Sequence, residues 1–225
     1  MILLSASHYS LRREIIPKPL RTVLLLLLLL GVVGFSIYGW GPARALGVSV
    51  RDYLGVRLVE GHAQLLCQAA EESGVDVALL GGIMYMESRG RPGQRSPAGA
   101  LGLMQLVPAA AEDAARRLGL PEPSEEQLLG DDELNVRLGA AHLAWLLEHR
   151  GPWNLEQVLV SYNAGRSRLM GWIEEAGGYA PWRAEQERAW GSGEPTSGAL
   201  LYAKGVLEAS RTLGARGQLV PAAGG

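Results

Sequence analysis

Residues 76–88 read DVALLGGIMYMES, and the chain continues as RGRPGQRSPAGALGLMQLVP through residue 108. Asp76 is a favoured N-cap, and an apolar stripe at helical spacing follows it, so a helix begins there. Gly90 and Pro92 stop that helix near Ser88. Glu87 falls in its last turn, and the residues at i−3, i−4 and i−7 are Met84, Ile83 and Leu80. A carboxylate therefore projects from the apolar stripe of a helix that has to be buried. Burial disfavours the charged form, and the negative end of the helix dipole acts in the same direction. A carboxyl that keeps its proton near neutral pH is what a general acid requires. A helix-end glutamate turned out to solvent is the plain alternative, and the stripe alone does not separate the two.

The pattern is helical on both sides of this stretch. One helix is expected from about Glu60 to Glu72. Residues 89–102 hold Gly90, Gly93, Gly99, Gly102, Pro92 and Pro97, which predicts a loop or a small irregular hairpin. Pro108 to Leu118 fits a helix with proline in its first turn. Asp131 or Asp132 caps a strongly apolar helix to His149, closed by Gly151 and Pro152. Asn154 with Gln157 has the form of a capping box for a helix through Tyr162. Gly165 interrupts it, and a further turn or two reaches Glu175. Residues 177–195, rich in Gly, Pro and Trp, are expected as a loop, and a last helix runs from about Ser197 to Leu213. Trp172, Tyr179, Trp182 and Trp190 either stack on a ligand or pin that loop. No strand series is visible. The fold class is all-α: one domain over 58–215, with room for a minor hairpin within 89–102, followed by a flexible tail at 216–225.

The N-terminus has a different character. Val23 to Trp40 is an 18-residue run without charge, with seven consecutive leucines near its start. That length can span a bilayer. Arg12, Arg13, Lys18 and Arg21 precede it against only Glu14, so residues 1–22 are expected in the cytoplasm and the remainder across the inner membrane, in the periplasm. The run reads as a transmembrane signal-anchor at 23–40, with a tether at 41–57. The competing expectation is a cleaved signal peptide, because Ala43-Arg44-Ala45 has the small-x-small form of a cleavage site near Ala45. Of 21 Lys+Arg, five precede residue 46, and of 23 Asp+Glu only Glu14 does. The part beyond thus carries 16 basic against 22 acidic side chains and has no basic block, which argues against nucleic acid as a partner. Cys67 is the single cysteine, so no intrachain disulfide can form. His8, His62, His142 and His149 lack metal-ligand spacing. No metal and no cofactor are expected.

Four short motifs occur in order. Glu87-Ser88 is followed by Ser96-Pro97-Ala98-Gly99-Ala100 and then Gly102-Leu103-Met104-Gln105. Ser161-Tyr162-Asn163-Ala164-Gly165 comes next, and Tyr202 stands in the last helix. Over roughly residues 60–213 this set resembles the soluble lytic transglycosylase family, whose catalytic domain has a goose-type lysozyme-like fold. The resemblance implies that Glu87 is the single catalytic acid/base. It implies that Ser88 helps place the substrate's N-acetyl group and that Gln105 lines the cleft near the scissile bond. Tyr162 and Asn163 would build the cleft floor, and Tyr202 would hydrogen-bond the catalytic carboxylate. Three departures stand out. Ser161 replaces the family's usual alanine. Gly198 and Ala199 replace a Glu-Thr pair often found before the last tyrosine. Arg89 and Gly90 occupy positions where an aromatic residue is common.

Ordinary glycosidases use two carboxylates, about 5–5.5 Å apart for retention and roughly 6.5–9.5 Å for inversion. No Asp or Glu occurs between Glu87 and Glu112, which favours a one-carboxylate reaction. The resemblance implies a 1,6-anhydro product on peptidoglycan glycan strands, formed without consuming water. A lysozyme-type hydrolase on the same fold, or a non-catalytic peptidoglycan-binding module, are the alternatives. Targeting would come from the anchor or a protein partner.

Overall fold

The computed structural model describes Val23, residues 26–28 and residues 40–220. The expected membrane span at 23–40, apart from Val23, Leu26, Leu27, Leu28 and Trp40, lies outside the described residues, as does the cytoplasmic segment 1–22. Among the described residues no helix is long and apolar enough to cross a membrane. The chain divides into two compact units at Arg51/Asp52.

Helices follow one another along the chain: α1 (Trp40–Gly61), α2 (Ala63–Ser73), α3 (Val77–Ser88), α4 (Pro108–Arg117), α5 (Glu125–Gly130), α6 (Asp132–Glu148), α7 (Leu155–Ala164), α8 (Arg166–Glu175), α9 (Tyr179–Ser192) and α10 (Ala199–Arg216). The expected caps are present. Asp76 accepts from Leu79 N at 2.8 Å, and Asn154 and Gln157 bond reciprocally at 2.9 and 3.1 Å. Among the described residues there are two isolated antiparallel bridges in place of strands, Arg95 to Leu101 and Leu101 to Leu106. They form the minor hairpin expected within 89–102, carried on to Leu106.

The core lies around α3. Leu80, Ile83 and Met84 are fully buried in it, and α10 packs along its length with α7 beyond. The α3–α10 approach is close because Gly82 has no side chain. A Cβ there would stand 2.2 Å from Ser210 Oγ and 2.7 Å from the Val206 carbonyl oxygen.

Two stretches differ from expectation. Residues 41–57 were expected as a tether, but they lie in α1, and the compact unit starts at Asp52 rather than at 58. Val56 and Val59 are buried, and the Tyr85 hydroxyl donates to Asp52 at 2.9 Å. Tertiary packing thus holds residues 52–57, which a local reading of the sequence could not reveal. Residues 177–195, expected as a loop, contain α9. Trp182 is buried and stacks on Trp172, with centroids 5.5 Å apart, and Arg183 pairs with Glu156 at 2.7 Å. Gly177, Gly178 and Gly193 bound this helix instead of interrupting it, and Pro181 sits in its first turn, where a missing N–H costs nothing. Two smaller differences complete the comparison. α5 arises from a Ser124/Gln127 capping box, and Leu219 of the expected tail packs into the core.

Candidate functional site

A cleft of about 640 Å³ is lined by Glu87 from α3, by Ser96, Ala98, Ala100, Gln105, Leu106 and Val107 from the hairpin loop, by α4 and α6, and by residues 161–166 and Arg168. Glu87 is the one carboxylate among the lining residues. It is half-buried, and desolvation pushes its pKa from the ordinary 4.5 up to about 7, against a smaller lowering effect of Tyr202. The helix end that carries it is held firmly. Arg89 caps α3 in the left-handed region at φ 55° and donates to Asp52 at 2.8 Å. The His62 ring lies 3.0 Å from the Gly90 carbonyl.

The two tyrosines expected at the site are both beside Glu87. Tyr162 lines the cleft and donates a long 3.3 Å hydrogen bond to the Met104 carbonyl. Burial and the nearby Glu87 charge hold its hydroxyl well above the usual phenol range. Tyr202 is buried in α10 and favours the charged form of Glu87. Its hydroxyl nevertheless makes no hydrogen bond of good geometry and is left as a buried polar atom. Because desolvation outweighs the tyrosine, the carboxyl keeps a raised pKa.

Gln105 stands in the left-handed region at φ 46°. Its amide nitrogen donates to the Gly102 and Gln94 carbonyls at 2.9 and 3.1 Å, so the side chain braces the loop that forms the cleft wall. Asn163 is exposed on that wall. Ser88 is placed differently. It is buried, and its hydroxyl donates back to the Met84 carbonyl at 3.2 Å. The structure thus brings Glu87, Gln105, Tyr162 and Asn163 together on one cleft, sets Tyr202 in the core beside Glu87, and turns Ser88 into its own helix.

Sequence reasoning overlooked several residues. Asn135, fully buried in α6, accepts from Met104 N at 2.8 Å and donates to the Leu101 and Leu128 carbonyls, each at 3.0 Å. These three bonds hold the Gly102–Gln105 loop in place. Gly102 is required beneath them, since a Cβ would lie 2.3 Å from Asn135 Nδ2. His142 lines the cleft with its ring 5.3 Å from that of Tyr162. Burial, helped by the Arg117 charge and opposed by Asp113, pushes it down to about 4, so the imidazole is neutral at physiological pH. Asn135 and His142 are seven residues apart on a helix otherwise apolar on that face, and this spacing was the available signal. Arg166 and Arg168 also line the cleft.

The transglycosylase SLT domain family model matches residues 64–184. A soluble lytic murein transglycosylase of Escherichia coli K12 is 32% identical over 96 residues, 43% of this chain and 15% of that protein. An endo-type membrane-bound lytic murein transglycosylase A of Klebsiella pneumoniae is 44% identical over 106 residues, 43% of this chain and 51% of the relative. The chain thus spans about half or less of the length of these relatives. Among solved structures, an inactive glutamate-to-glutamine mutant of lytic transglycosylase Slt from Pseudomonas aeruginosa superposes with a TM-score of 0.57 at 28% identity, covering 72% of this chain and 25% of that one. The 70 kDa soluble lytic transglycosylase of Escherichia coli has the same fold, with a TM-score of 0.56 at 24% identity over 70% of this chain and 25% of its own. With more than half of its residues matched, on a helical domain of this lysozyme-like fold, the chain belongs to the transglycosylase SLT-domain family.

Proposed function

We propose that the chain is a peptidoglycan lytic transglycosylase that cleaves the MurNAc–GlcNAc β-1,4 bond with Glu87 as its single acid/base. One observation carries this reading: a lone carboxyl with a pKa of about 7 on the wall of a cleft large enough for sugar rings. At neutral pH a useful fraction of Glu87 holds a proton, which it gives to the leaving glycosidic oxygen as the C1–O bond breaks. The substrate's N-acetyl oxygen stabilises the electron-poor anomeric carbon. The C6 hydroxyl then attacks C1 and returns its proton to Glu87, closing a 1,6-anhydro ring with no water consumed. Tyr202 favours the charged form of Glu87, Tyr162, Gln105 and Asn163 orient the sugar from the cleft wall, and Ser88, bonded back to Met84, supports the helix end that carries Glu87.

The test is mass spectrometry of muropeptides released from purified sacculi. Anhydro ends are expected, whereas reducing ends would mean a hydrolase, and no release would mean a binding module. Inner-membrane anchoring through 23–40, with the catalytic unit in the periplasm, belongs to the same proposal. It is supported by the charge-free run, the basic residues before it, and the presence of membrane-bound enzymes among the relatives. Cell fractionation with N-terminal sequencing tests it, and a soluble product beginning at Leu46 would overturn it.

A further inference from the structure

Arg166 lies on the cleft wall, and its guanidinium is stacked over the Trp153 ring, 4.3 Å from the centroid. Its Nη1 is buried and has no acceptor among the described residues. Neither Arg166 nor Arg168, the other cation of the wall, is ion-paired among the described residues. A buried guanidinium N–H without an acceptor is costly. Nη1 is closed to an incoming group, but the stack on Trp153 fixes the plane of the guanidinium and leaves its Nε–Nη2 edge, which is not enclosed and is unbonded among the described residues, as a rigid fork of donors suited to a carboxylate.

We infer that Arg166, supported by the charge of Arg168, receives a carboxylate of the substrate. Resting on the proposed glycan-cleaving activity, that carboxylate belongs to the substituent on the muramic acid ring. It comes from the stem peptide or, where the peptide has been removed, from the lactyl group. The cleft then selects for strands bearing an anionic substituent, a preference separate from the chemistry at Glu87.

The test measures binding and so does not depend on turnover. The full chain carrying Glu87→Gln is titrated with three soluble glycan fragments: stem-bearing, stem-stripped with a free lactyl carboxylate, and stem-bearing with all carboxyls converted to amides. The same titrations are run with Arg166→Gln added. Arg166→Gln is expected to weaken binding of the stem-bearing fragment about ten- to hundredfold. That loss should exceed the loss on the amidated fragment by at least tenfold. Arg166→Lys should recover part of it, and thermal melts should show both variants folded. A comparable loss on the stripped fragment would show that the lactyl carboxylate, free only where the stem is absent, takes the same place as a stem carboxylate, and no loss there would confine the contact to the stem peptide. Equal losses on charged and amidated fragments, or no loss on either, would overturn the inference and leave Arg166 as a packing partner of Trp153. Failure of the proposed activity is read elsewhere, in wild-type protein that binds strands yet releases no anhydro ends.

Discussion

Replacing Glu87 by glutamine removes one titration and retains nearly the same shape. The folded-state pKa of Glu87 is about 7 against an ordinary 4.5. A carboxyl with a raised folded pKa binds its proton more tightly in the folded chain than in the unfolded one. Its contribution is therefore most favourable below the unfolded value and is lost as pH climbs from 4.5 to about 7. The difference corresponds to about 3 kcal/mol between pH 4 and pH 8. Glu87→Gln carries no such penalty, so relative to wild type it should gain about 3 kcal/mol over that interval. For a domain of this size this amounts to roughly 6–12 °C in Tm. Urea denaturation and thermal melts of both proteins at pH 4, 6 and 8 measure the swing. Activity on purified sacculi should fall by about 10²- to 10⁴-fold, the usual worth of a general acid, and wild-type cleavage should weaken as pH rises through about 7. A swing below about 1 kcal/mol, or one favouring wild type at pH 8, would show that Glu87 is held as a paired anion. The general-acid reasoning would then fail, as it would if the mutant kept activity within about tenfold of wild type.

Three further outcomes are expected. Tyr202→Phe removes a hydroxyl that favours the charged form of Glu87, so the alkaline limb of the pH–activity profile should move upward; a downward shift would contradict the arrangement. Asn135→Ala removes three buried hydrogen bonds and leaves Met104 N and the Leu128 carbonyl unpartnered, while the Leu101 carbonyl keeps its bond from Leu106 N; it should cost about 2–4 kcal/mol in urea denaturation, with a loss under about 0.5 kcal/mol counting against its bracing role. Gly82→Ala must push α10 away from α3 and should destabilise by about 1–3 kcal/mol, whereas a neutral melt would mean the contact is looser than described.

Much of this protein was legible from local chemistry. The helices with strong caps, at Asp76, Asp131 and Asn154, lie where side-chain acceptors meet the first free N–H groups, and that signal is contained in four residues. Glu87 was readable for a related reason. Helical periodicity alone places it above Leu80, Ile83 and Met84, and the direction of its pKa follows from that placement. The order of the four motifs pointed to the family before any contact was known.

Other features depended on partners distant in sequence. Trp182 anchors the helix Tyr179–Ser192 by stacking on Trp172, and Asp52 ties the end of the expected tether to the domain by bonding Tyr85 and Arg89 across more than thirty residues. Ser88 turns back to its own helix because its hydroxyl finds the Met84 carbonyl once it is buried. His142 and Arg166 reach the cleft only when α6 and α8 are packed around it. Periodicity and capping are determined by neighbours a few positions away, so they can be read along the chain. Burial, orphaned polar atoms and the composition of a cleft wall are sums over segments tens of residues apart, and only the tertiary structure decides them.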